Sequence, residues 1–71
     1  MAVTKTIDLS GTSTQSIEAA TEEAISRAAL TIDEVTEFEI VKVTGNVKDG
    51  RVDEYRVWLK VTFHVKEKLH E

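Results

Sequence analysis

The sequence predicts an α+β fold of order β-α-β-β, in which a three-stranded antiparallel sheet wraps around one helix. Three observations predict it: a period-two apolar pattern near the N-terminus, an alanine-rich stripe at helical spacing, and two long strand-like runs divided by Asp49-Gly50. The first run, Val3 to Leu9, places Val3, Ile7 and Leu9 on one side and Thr4, Thr6 and Asp8 on the other, with Lys5 interrupting the apolar side. Ser10-Gly11-Thr12-Ser13 follows as a loop. Its hydroxyl side chains suit the unpaired first amides of a helix, and Thr12 with Gln15 matches a capping box. The same residues, Ser10-Gly11-Thr12, also have the composition of a small anion nest.

From Thr14 to about Thr31, Ile17, Ala20, Ala24, Ile25 and Ala28 recur at helical spacing with Thr21 among them, and Glu18, Glu22, Glu23 and Arg27 take the other faces. Alanine lets a helix lie close to a sheet but buries little apolar area, so the core of one chain is thin. Beyond a polar link at Asp33-Glu34, Val35 to Val47 and Arg51 to Lys66 read as a hairpin. Asp49-Gly50 is the signature of a two-residue type I′ turn. That turn pairs Val47 with Val52, Ile40 with Leu59, Phe38 with Val61 and Glu39 with Lys60. Phe38, Ile40, Val57, Leu59, Val61 and Phe63, with Tyr55 further along, then face the helix. The opposite face is expected to carry Glu37, Glu39, Val41 and Val43 beside Arg56, Trp58, Lys60, Thr62 and His64, a mixed surface that asks for a second copy of the chain to cover it. A bulge near Gly45 would shift the pairings beyond it.

Composition narrows the function. The 71 residues form a single predicted domain, 1–71, with 13 acidic and 9 basic residues, no Cys and no Pro. Chains this short usually lean on disulfides, metal or oligomerisation. Disulfides are excluded and zinc nearly so, because His64 and His70 are the only nitrogen ligands. A net charge of −4 argues against nucleic acid and anionic membrane partners. With no apolar leader or spanning segment, the expected location is the cytoplasm. The chain shows no Cys nucleophile, no Gly-rich phosphate loop and no Ser, His and Asp arrangement, so an enzyme is not expected.

Segments along the whole chain resemble the dodecins: the loop Leu9 to Ser13, the helix with Glu18-Ala19-Ala20 and Ala24-Ile25-Ser26-Arg27-Ala28, the link Thr31 to Val35, and the strands Phe38-Glu39-Ile40 and Glu54-Tyr55-Arg56-Val57, in the same order and spacing. The resemblance implies a dodecin-like protomer, a hollow homododecamer of cubic symmetry, and flavin held in pockets between subunits for storage without turnover. It also implies the pocket positions. Where flavin-binding members stack a tryptophan on the isoalloxazine ring, this chain has Glu37, and where a glutamine bonds the ring's polar edge it has Arg56. Thr44 and His64 stand where bacterial members often have arginines.

The candidate ligand residues are therefore Glu37, Thr44, Arg56, Trp58 and His64. Trp58 lies on the open face two residues beyond Arg56 and offers a relocated aromatic platform, or else interface packing. His64 is a ligand, a pH-sensing contact or a structural residue. Glu37 and Glu39, with Asp33 and Glu34 nearby, are candidate calcium ligands if copies converge on a symmetry axis, since calcium prefers six to eight oxygens. A Glu37–Arg56 ion pair is possible only between subunits, because the register separates them by about 20 Å of strand.

Overall fold

A computed structural model describes residues 3–65. Strand β1 (Thr4–Ser13) leads to helix α1 (Ile17–Ala29), and strands β2 (Val35–Lys48) and β3 (Arg51–His64) form the hairpin. The sheet is antiparallel with order β1-β3-β2, so the two long strands run side by side and β1 flanks β3. The β-α-β-β reading holds. The predicted continuation of the third strand to Lys66 and the charged tail with His70 lie outside the described residues.

Local differences have identifiable causes. Strand β1 does not stop at Leu9, because Ser10, Gly11, Thr12 and Ser13 pair with Trp58, Val57, Arg56 and Tyr55. An extended, ladder-bonded Ser10-Gly11-Thr12 cannot curl into an anion nest, and Thr12 cannot cap the helix. The cap is Ser16, whose Oγ accepts from the Ala19 amide at 2.9 Å, while Ser13 Oγ accepts from the Gln15 amide at 2.9 Å. Two serines thus share the work assigned to one threonine. Gly11 lets strand and helix meet: a Cβ there would lie 2.7 Å from the Ala20 carbonyl oxygen and 3.0 Å from the Ala24 Cβ.

The turn forms as expected, with Asp49 at φ 53° and Gly50 at φ 74°, the left-handed pair of a type I′ turn. Val47–Val52, Phe38–Val61, Glu39–Lys60 and Ile40–Leu59 all pair as predicted. Between these pairs the register is offset. Asp53 is an extra residue on β3 near the turn, and Val41 is an extra residue on β2 before Lys42. These two bulges cancel from Ile40 to Glu37 but shift everything from Lys42 to Asn46 by one position, and a third extra residue, Thr36, brings Val35 opposite Phe63.

The core consists of Ala20, Ala24 and Ala28 against Val57, Leu59 and Val61, with Ile7, Leu9, Ile25 and Val35 packed around it. Buried Thr21 satisfies its hydroxyl on the Ile17 carbonyl at 2.9 Å. The helix covers β1 and β3 and barely reaches β2. Consequently Phe38 and Ile40, on the helix side of β2, remain 50% and 41% exposed. They join Ile17, Thr21 and Ile25 around an apolar depression of about 470 Å³. Among the described residues no helix is long and apolar enough to cross a membrane.

Candidate functional site

The face of the sheet away from the helix is built in rows by the pairing of the three strands. Thr12, Arg56 and Thr44 form one row; Ser10, Trp58 and Lys42 the next; then Asp8, Lys60 and Glu39; then Thr6, Thr62 and Glu37. The two bulges determine this content. They turn Val43 onto the helix side opposite Val57, leave Val41 within the bulge, and bring Lys42 and Thr44 onto the open face. The expected half-apolar surface is therefore a polar one with a single aromatic residue, Trp58, near its middle. Its would-be apolar members were displaced by one residue, and the exposed hydrophobic area sits on the other side, along β2.

Trp58 is half-buried and closely surrounded. Its Nε1–H donates to Thr44 Oγ1 at 3.4 Å, which orients the polar edge of the indole toward β2. The Lys42 ammonium lies 4.9 Å from the ring centroid and the Arg56 guanidinium 5.5 Å from it, both within cation–π range. Arg56 also lines a groove of about 890 Å³ between β1 and α1, along with Ser10, Thr12, Gln15 and Arg27.

The five sequence-derived ligand residues separate into two groups. Thr44, Arg56 and Trp58 converge. Glu37 lies three rows from Arg56, about 20 Å along the strands, so within one chain no Glu37–Arg56 pair forms. His64 is further still, opposite Thr4, beside a small depression lined by Lys5, Asp33 and Phe63. Glu37 and Glu39 occupy successive rows, but Lys60 takes Asp8 at 3.3 Å as its ion-pair partner, although Glu39 lies directly opposite. Among the described residues no three His, Cys, Asp or Glu side chains gather to hold a metal. Lys42 was missed from sequence, because a straight register puts it on the helix side; only the bulge at Val41 exposes it beside Trp58.

The dodecin family model matches residues 3–66. The chain belongs to the dodecin family. A dodecin from Thermus thermophilus is 37% identical over 65 residues, spanning 92% of this chain and 94% of the relative. A Thermus thermophilus crystal structure superposes with a TM-score of 0.90 at 35% identity, covering 96% of this chain and all of the other. The calcium-chelating antigen described as calcium dodecin, from Mycobacterium tuberculosis, superposes with a TM-score of 0.78 at 31% identity, covering 97% and 99% of the two chains. This dodecin therefore keeps the family scaffold throughout the described residues. Its sheet face carries its aromatic residue on β3, at Trp58, while Glu37 occupies the β2 position at which the family resemblance expects a tryptophan.

Proposed function

We propose that this dodecin, with residues 1–71 as one domain, assembles as a homododecamer and sequesters flavin in pockets between subunits without turning it over. The observation that carries the reading is the half-buried Trp58, held by Thr44 and flanked by Lys42 and Arg56 at the middle of an otherwise polar sheet face. Stacking a flat ring on an aromatic side chain contributes about 1–3 kcal/mol, by analogy with nucleobases. In this reading Trp58 is the platform and Arg56 meets the ring carbonyls. Glu37 and His64 reach the pocket from a neighbouring copy.

Assembly has independent physical support. The radius of gyration is 15.2 Å, against about 11 Å for a compact chain of this length. The apolar depression around Phe38 and Ile40 supplies contiguous surface for a second copy. The test is a titration of riboflavin and of its phosphorylated form, FMN, into the purified assembly, followed by flavin fluorescence. Saturable quenching is expected for the parent protein and at least a tenfold weaker response for Trp58→Ala. No quenching by either flavin removes the flavin reading, and an unchanged affinity in Trp58→Ala removes the platform.

A second reading is favoured by the likeness to the calcium dodecin of Mycobacterium tuberculosis. Glu37 and Glu39 lie in adjacent rows, and copies meeting at a symmetry axis would multiply their carboxylates toward the oxygen count calcium requires. Calorimetry with calcium on the parent and on Glu37→Gln tests it. Heat in the parent that is lost in the variant supports the site; no heat in the parent ends it.

A further inference from the structure

We propose that Lys42 and Arg56 make the Trp58 site selective for flat aromatic ligands that carry a phosphate group, so that this dodecin prefers phosphorylated flavin over uncharged riboflavin. The inference rests on the flavin reading above and names its ligand class and its specificity-determining residue, Lys42.

Three observations lead to it. The first is the absence of a carboxylate partner: the ion pairs among the described residues are Arg27–Glu23 and Lys60–Asp8, and neither Lys42 nor Arg56 takes part. Their contacts are with the indole of Trp58, at 4.9 and 5.5 Å. Acids stand in the rows on either side: Glu54 accepts a hydrogen bond from Asn46 Nδ2 at 3.3 Å, and in the Asp8–Lys60–Glu39 row Asp8 pairs with Lys60 at 3.3 Å. The second is charge: the chain carries −4 overall, yet two adjacent rows of this face carry two cations and no acid. The third is the bulge at Val41, which swings Lys42 out of the helix side and onto the aromatic. A straight strand would have left this end of the face without its second cation.

Ligand entry explains why the charge of the ligand decides. A ring that stacks on Trp58 must displace a cation from the indole face. Lys42 is the one that moves, since an ammonium on a flexible four-carbon stem reorients more readily than a planar guanidinium already suited to bond ring carbonyls. Displacement breaks its cation–π contact. A neutral ligand returns nothing for that loss, whereas a phosphate within reach of the stem gives the ammonium a charge-assisted hydrogen bond.

The experiment measures FMN and riboflavin affinities side by side, by fluorescence quenching of the assembled protein, from about 0.02 M to about 1 M salt. At low salt FMN is expected to bind about tenfold tighter, and the preference should shrink toward one as salt screens the two exposed cations. Lys42→Met, which keeps the stem and removes the charge, should bring the FMN-to-riboflavin ratio close to one at low salt, and Lys42→Arg should restore it. Lys48→Met, an equal loss of charge at the turn end of β2, should leave the ratio in place. Light scattering on each variant confirms that the assembly is intact, and the salt series on the parent protein stands even if a variant fails to assemble. Equal affinities for the two flavins, a preference insensitive to salt, or a ratio untouched by Lys42→Met each overturns the inference while leaving the flavin reading standing. Quenching by neither flavin removes both.

Discussion

At the residue scale, the two positions that matter most have opposite characters. Gly11 is fixed by space: a methyl group at its Cβ position would press on the Ala20 carbonyl at 2.7 Å, and neither the strand nor the alanine-lined helix has a flexible side chain to yield. Gly11→Ala is expected to destabilise the protein by about 1–3 kcal/mol, the cost of overpacking, read as a lower urea midpoint at fixed protein concentration. Glu37 is free by contrast, exposed in the last of the four rows and far from Trp58 within its own chain. If subunits bring the two together around a flavin, Glu37→Trp supplies a second stacking surface and should raise flavin affinity by about 5- to 150-fold, the equivalent of about 1–3 kcal/mol per stacked ring. A titration of this variant beside the parent decides it, and an unchanged affinity would place Glu37 outside the pocket.

At the element scale, the helix and hairpin show what can be read from sequence and what cannot. Apolar periodicity located α1 and β3 because Ala20, Ala24, Val57, Leu59 and Val61 are all buried, and it located β2 by the same pattern although Phe38, Ile40 and Val43 stay exposed in the single chain. Asp49-Gly50 was legible because type I′ geometry demands positive φ at both residues. The bulges at Asp53 and Val41 were not legible in place, since an inserted residue leaves no mark on composition and these two offsets cancel between Ile40 and Glu37. That one-residue shift hid Lys42 from the candidate site and misplaced Val43. The cap was misread for a related reason: Thr12, Ser13 and Ser16 are chemically interchangeable as acceptors, and only the extent of β1 excludes the first. Ser16→Ala should therefore cost about 1 kcal/mol of stability, while Thr12→Ala, in a strand and remote from the helix amides, should not weaken the cap. Thermal unfolding of both variants at one protein concentration separates the assignments, and equal losses would return the cap to the loop.

At the scale of the whole molecule, the decisive property is shape. The chain measures 60 × 19 × 13 Å, because a hairpin of two 14-residue strands extends well beyond a 13-residue helix. Among the described residues three of the six buried apolar ones are alanines, so the single chain removes little hydrophobic area from water relative to the backbone it orders. What is missing lies along the helix side of β2 and the turn end of β3, where Phe38, Ile40, Val43 and Val47 on β2 and Val52 on β3 are all exposed. These residues are apolar at a period suited to burial, and the helix of their own chain barely reaches them. A neighbouring copy laid on this strip would complete the core, which makes folding and assembly one equilibrium and the stability dependent on concentration. Phe38→Asp places a charge at the end of that strip furthest from the turn, at a residue outside the buried core of its own chain. It is expected to shift the light-scattering mass from a multimer to a single chain and to lower the unfolding midpoint sharply. Val3→Asp, an equally exposed apolar residue outside the strip, should leave the mass unchanged. A parent protein that scatters as one chain, or a Phe38→Asp variant that keeps the parent's mass, would show that the strip is not where copies meet.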